Sequence, residues 1–229
     1  MTFNNSNGKT EYVVIKGTKK KLNRDGMITE GVKRGEIERN TKHKTLGMWI
    51  DETGTFGINI KKRKEKLSHM IETIKAIAST KNMGILAMEA RFKLSESIIL
   101  PSILYNVEVI HNLQKKEIDE LEKMQAQVLK RILEVPDSTP YYGILMETGW
   151  WTMKARIEYK KMMLYHNIEN SHEERIIKKI LNIQKEERRE STWYSEVKKS
   201  INMYKIQIDV KAVNKSVWKK TIKNKSQTT

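Results

Sequence analysis

The 229-residue chain contains no cysteine. That excludes a disulfide framework, a thiolate metal site and a cysteine nucleophile. Only three prolines occur, and each marks a break: Pro101 kinks or ends a helix, while Pro136 and Pro140 bracket a loop. No apolar run reaches transmembrane length, the longest being interrupted by Pro101 and Glu108. The opening residues MTFNNSNGKTEY have no apolar core of the kind a secretory signal needs. An intracellular, soluble protein of the nucleus or cytoplasm is the expectation. Acidic residues are also few, 28 against 44 Lys plus Arg, which leaves a net charge of +16. Hydrophobic residues make up 38% of the chain and the mean hydropathy is −0.64, below an average globular domain but above a wholly disordered chain.

The excess of positive charge is an argument about partners. A strongly cationic protein attracts polyanions, and nucleic acid is the commonest polyanion inside cells. The alternative is a chain that is rich in Lys through codon composition alone.

Few residues suit catalysis. The five aspartates, Asp25, Asp51, Asp119, Asp137 and Asp209, are neither adjacent nor at helical spacing, as convergent metal-binding carboxylates would be. His43, His69, His111, His166 and His172 show no HExxH spacing, and no Gly-x-Ser-x-Gly elbow exists. Gly8-Lys9-Thr10 has the end of a phosphate loop, but Phe3 stands where its first glycine would be. Trp150-Trp151 could stack on bases, although packing of at least one ring between helices is the preferred expectation. No catalytic or metal-binding residue is assigned.

Residue patterns divide the chain. Eight of the eleven glycines lie within residues 1–60. Tyr12-Val13-Val14-Ile15, Met27-Ile28-Thr29 after the turn dipeptide Asp25-Gly26, Glu36-Ile37-Glu38 and Leu46-Gly47-Met48-Trp49-Ile50 read as short strands of a small antiparallel sheet. From Ile58 the period becomes helical, with Ile60, Leu67, Met70, Ile71, Ile74 and Ile77 on one stripe. Further helices are predicted over residues 84–100, 114–133, 141–146 and 152–167, with Thr139 as a cap and Pro140 at a first helical position. Loosely packed helices are predicted over 173–185 and 193–204, and a frayed tail from 215. The fold class is therefore α+β, mostly α: a small antiparallel β remnant followed by an α-helical bundle. Lys61, Lys62, Arg63, Lys64 and Lys66 crowd the start of the first long helix. Cations there oppose the helix dipole, so helix stability does not explain them; phosphate contact is the expectation, with a solvated helix terminus as the alternative.

Several segments together resemble the C-terminal part of a reverse transcriptase of non-LTR retrotransposons. They are Lys9-Thr10 before the first strand, Lys44-Thr45-Leu46-Gly47-Met48-Trp49-Ile50-Asp51 with Gly54, Leu100-Pro101-Ser102-Ile103-Leu104-Tyr105 with Glu108, Leu129-Lys130-Arg131-Ile132-Leu133-Glu134-Val135-Pro136 with Thr139-Pro140, and Leu145-Met146-Glu147-Thr148-Gly149. The resemblance spans about residues 8–165. It implies that residues 1–57 are the end of the palm and 58–170 a helical thumb-like domain, and the residue pattern makes 171–229 a charged helical extension with a frayed tail. It further implies that Lys9 lies near the incoming nucleotide's phosphates, that Lys44, Leu46 and Gly47 belong to a primer grip, and that the cations at 61–66 track a template–primer duplex of RNA or DNA. The family's paired-Asp motif is absent, and Thr45 replaces the usual tyrosine of the grip. Mg²⁺ is therefore expected only in the complete polymerase, with this chain inactive alone and a missing catalytic half as a second partner. No membrane partner is expected. The rival expectation is a non-catalytic basic helical module that binds protein or nucleic acid.

Overall fold

The structure, a computed structural model, describes residues 11–12, 38–39, 41–51, 54–77, 84–187 and 190–227. Two compact units divide inside the first long helix, residues 1–62 and residues 63–229. Lys9, the Asp25-Gly26 turn and the strand expected at 27–29 lie outside the described residues.

In the first unit, β1 (Glu11–Tyr12) pairs in parallel with β2 (Glu38–Arg39). The expected antiparallel sheet is the hairpin of β3 (Lys42–Thr45) and β4 (Met48–Asp51), in which Lys44 faces Trp49 and Thr45 faces Met48. The single strand predicted from Leu46 is corrected. Leu46 (φ 47°) and Gly47 (φ 80°) form a two-residue turn with both dihedrals positive, the geometry that matches the twist of a tight hairpin. Glycine takes that conformation without strain, and leucine does not. The helix α1 (Gly57–Ile77) begins in this unit, and its buried Asn59 acts as a substitute strand. The Asn59 side chain donates from Nδ2 to the Trp49 carbonyl at 2.8 Å and accepts at Oδ1 from the Trp49 N–H at 2.9 Å. One side chain thus satisfies both backbone groups of Trp49 at once.

The second unit is helical. It continues with α2 (Gly84–Leu94), a π-helical turn (Ser95–Ile99), α3 (Leu100–Ile103) and a 3₁₀ turn (Val107–Val109). Pro101 was expected to kink or end its helix, and the π turn is how the chain carries the helix past it. The Leu100 N–H reaches back five residues to the Ser95 carbonyl, so the widened turn sits just before the residue that has no N–H to give. Next come α4 (Lys115–Leu133) and α5 (Tyr141–Thr148). Pro140, not Thr139, takes the cap position of α5, one residue later than predicted, and its carbonyl accepts from the Ile144 N–H. Gly149, at φ 67°, closes α5 in the left-handed conformation.

The helix α6 (Met153–Glu169) is the hub, starting at Thr152, whose hydroxyl accepts from the Ala155 N–H. It packs against α4, the 3₁₀ turn, α7 (Ile176–Glu186), α8 (Trp193–Met203) and α9 (Lys215–Gln227). Such a helix is apolar on more than one side, and Met153, Ile157, Met162, Tyr165 and Ile168 are all buried.

The C-terminal region departs most from expectation. In place of loose helices and a frayed tail, Leu181, Val197, Tyr204, Ile206, Trp218 and Ile222 form a cluster with Met162 and Tyr165. Trp218 is fully buried, donates its indole N–H to the Met162 carbonyl at 3.1 Å and stacks on His166. An indole with its one polar atom satisfied anchors a helix that has few other apolar residues.

Charge is buried here too. Lys178 is 1% exposed, and its ammonium donates to the Glu169 carbonyl at 2.5 Å, with the Glu169 carboxylate at 3.5 Å. Lys185 and Lys211 meet the same carboxylate at 2.6 and 3.5 Å. Burial raises the Glu169 pKa, but the hydrogen bond from Lys185 and the charges of Lys185, Lys178 and Lys211 outweigh it, so the group sits below its ordinary 4.5. A carboxylate depressed in the folded state stabilises the fold at pH values above its unfolded pKa, and that stability is withdrawn as pH falls through the folded value.

Two outcomes are expected from urea denaturation. Trp218→Ala should remove about 3–5 kcal/mol, the usual loss for truncating a buried large aromatic, whereas Lys220→Ala on the same helix should change stability by less than about 0.5 kcal/mol. Glu169→Gln should cost about 3 kcal/mol at neutral pH, because it removes the buried carboxylate beside Lys178 and leaves that ammonium the Glu169 carbonyl and a contact of 3.7 Å with Glu173. Its stability should also vary less than the parent's when pH is lowered from 7 into the range below 4.5.

Candidate nucleic-acid interface

An interface for phosphates needs ammonium or guanidinium groups that are exposed and not already engaged. The cations at the start of α1 meet this condition unequally. At about 100° per residue, Ile60, Leu67, Ile71 and Ile74 define the buried seam of the helix, with Arg63 and Lys64 on its two flanks and Lys61, Lys62 and Lys66 away from it.

Arg63 is bound into the fold. Its guanidinium donates to the carbonyl of Ile103 and, at 2.6 Å, to that of Tyr105, just where α3 ends. It therefore caps carbonyls that the helix end leaves without partners. Desolvation pulls its pKa down to about 10, against the raising effect of the Glu108 charge. Lys64 donates to Glu120 on α4 at 3.3 Å, and Lys123 donates to the same carboxylate at 2.7 Å. Lys61 and Lys66 are exposed, and Lys62 is half-buried.

On the hairpin, Lys44 is exposed, with its ammonium 6.0 Å from the centroid of the Trp49 ring. Leu46 stands at the tip with 84% of its surface exposed, beside the exposed Gly47. The hairpin thus brings Lys44, Leu46 and Gly47 to one exposed end, while Lys9 lies outside the described residues.

A strongly cationic helix lies where a frayed tail is expected. The helix α9 carries Lys215, Lys219, Lys220, Lys223 and Lys225 and no acidic residue. All five are exposed, and Lys215, Lys219, Lys220 and Lys223 have no hydrogen-bond or ion-pair partner among the described residues. Lys219, Lys220 and Lys223 fall within an arc of about 100° on the helix. The signal was present in the sequence as Trp218 and Ile222, four apart on the opposite side, but two apolar residues are a weak period.

Trp150 and Trp151 are held by packing. Trp150 is buried, edge-on to Phe92 with centroids 5.8 Å apart, and the Arg156 guanidinium lies 5.1 Å from its ring centre. Trp151 is half-buried and edge-on to Tyr159 at 5.6 Å. Among the described residues no three His, Asp or Glu side chains gather as a metal site would require, and no helix is long and apolar enough to cross a membrane.

Comparison of the chain with protein-family models, with curated proteins and with solved structures finds no match.

The division of labour on α1 has a measurable consequence. Arg63→Ala should lower stability by about 1–3 kcal/mol, since it leaves carbonyls at the end of α3 without a donor. Lys61→Ala and Lys66→Ala should leave the urea midpoint nearly unchanged, within about 0.5 kcal/mol.

Proposed function

We propose that the chain binds nucleic acid through the phosphate backbone, as a non-catalytic holder of duplex. The observation that supports this best is α9: an anchored helix with five lysines, no carboxylate and a flank of unpartnered ammonium groups. Ion pairs engage Lys161, Lys178 and Lys185, whereas Lys215, Lys219, Lys220 and Lys223 have no such partner among the described residues. Neutralising several phosphates with such groups releases counterions and gives affinity without base readout.

The finer proposal is that the duplex is a template–primer and the chain a palm-end and thumb-like part of a reverse transcriptase of non-LTR retrotransposons. Support for it comes from the sequence segments described above and from the exposed tip at Leu46-Gly47, which has the form a grip on a primer end would need. Without the paired aspartates of that family, the chain is proposed to extend no primer by itself, the two Mg²⁺ ions being held by the complete polymerase.

A second reading is favoured by α7. Ile176, Ile180 and Ile183 lie on one side of it with 77%, 48% and 53% of their surfaces exposed. An apolar face of that kind suits a protein partner.

Duplex affinity measured across salt concentrations separates the two. The logarithmic salt slope should be negative, and the Lys215→Ala, Lys219→Ala, Lys220→Ala triple variant should flatten it by about 0.9 for each phosphate that is no longer neutralised. The Lys61→Ala, Lys62→Ala, Lys66→Ala set should do the same if α1 tracks the backbone. Absence of duplex binding at physiological salt would overturn the proposal and leave the protein-partner reading. Primer extension by the isolated chain with Mg²⁺ and nucleotides would overturn the non-catalytic part.

A further inference from the structure

A cavity of about 450 Å³ opens on the second unit, well away in sequence from the α1 cations. Its volume lies within the roughly 300–1,000 Å³ usual for small-molecule sites. Three chemistries converge on it. The aromatic part is Trp151 and Tyr159, with Trp150 behind Arg156. The cationic part is Arg156, Lys160 and Lys223. The acidic part is the exposed Glu96.

Two of these charges are held by bonds and two are exposed. Glu96 sits in the π-helical turn before Pro101, and turns of this kind within helices are frequent at functional sites. Arg156 is held in place, its Nε donating to the Trp151 carbonyl at 3.3 Å. Lys160 is set by Glu108 at 3.3 Å. Lys223 and Glu96, by contrast, have no hydrogen-bond or ion-pair partner among the described residues. Lys223 thus lines the cavity without a partner, and the Glu96 carboxylate has only the longer-range charge of Arg156 acting on it. Desolvation holds the Tyr159 phenol pKa above its ordinary value.

A ligand that satisfies all of these groups needs a flat ring, an anionic group for Lys223 and a hydrogen-bond donor for Glu96. A plain aromatic acid has the first two but only repulsion for Glu96. Inorganic phosphate has only the second. A nucleotide has all three, through its base, its phosphate and its amino or hydroxyl donors.

We propose that the cavity formed by the π turn, the Trp150-Trp151 segment, α6 and α9 binds a single nucleotide, with its base against Trp151 and Tyr159 and its phosphate at Lys223. The occupant is either a free nucleotide or the 5′-phosphorylated end of a strand, since the two share this chemistry. The site does not depend on duplex binding, which is tested separately by the salt slope.

Calorimetric titration of the full chain with adenosine 5′-monophosphate, adenosine, inorganic phosphate and a tetranucleotide with and without its 5′-phosphate tests it. Adenosine monophosphate or the 5′-phosphorylated tetranucleotide should bind more tightly than adenosine, phosphate or the unphosphorylated strand. Lys223→Ala should weaken that binding about tenfold, the effect of removing one charge-assisted hydrogen bond, whereas Lys198→Ala on α8 should leave it unchanged. Binding of the monophosphate identifies free nucleotide as the source, and binding of the phosphorylated strand alone identifies a strand end. Equal effects of Lys223→Ala and Lys198→Ala, equal binding of phosphate and the monophosphate, or no binding of either probe overturns the proposal. Both lysines are exposed, and matching circular dichroism spectra and melting curves establish that the variants fold.

Discussion

Carboxylate is the minority charge in this chain, and the helical unit is organised around sharing it. Glu169 serves Lys178, Lys185 and Lys211, drawing α6, α7 and the segment before α9 to one point. Glu196 of α8 receives the Lys161 ammonium of α6 at 2.6 Å, the Asn112 N–H at 2.6 Å and the His111 ring at 3.0 Å. Burial raises its pKa, and these donors bring it below the ordinary value. Each acid thus joins several elements, which no single lysine–glutamate pair on a surface does. The geometry matters because a buried cation is tolerable only with good partners around it. Five of the lysines outside this sharing lie exposed on α9.

That arrangement separates two roles that composition alone merges. A net charge of +16 says nothing about which cations are structural. Arg63 and Lys64 look like members of a phosphate-binding run in the sequence, yet both are directed to neighbouring helices. Lys178 and Lys161 look like surface residues on charged helices and are buried. The surplus is legible from composition, but its location requires the fold.

The same contrast runs through the elements. The helix α4 is legible almost to the residue, because Leu121, Met124, Val128 and Ile132 repeat at the helical period with charge on the far side. Its start is reinforced by the Glu117 carboxylate, which accepts from the Gln114 N–H at 2.9 Å. The helix α9 is illegible by the same rule, since Trp218 and Ile222 supply its buried side and five lysines dominate the pattern. The π turn leaves no mark beyond Pro101. Asn59 is invisible for a different reason: its role is defined by Trp49, ten residues away, and not by its neighbours. The Leu46-Gly47 turn is hidden by the apolar run that follows it, which reads as one strand.

Leucine at the tip of that hairpin is an unfavourable choice by every local criterion. Its backbone occupies a region that favours glycine and asparagine, and its side chain is wetted over 84% of its surface. Asparagine there would relax the dihedral and hydrate more readily, so folding does not dictate an aliphatic residue at this place. The identity of residue 46 is thus not set by the turn geometry, which an asparagine would meet with less strain and an oily, protruding knuckle would not improve.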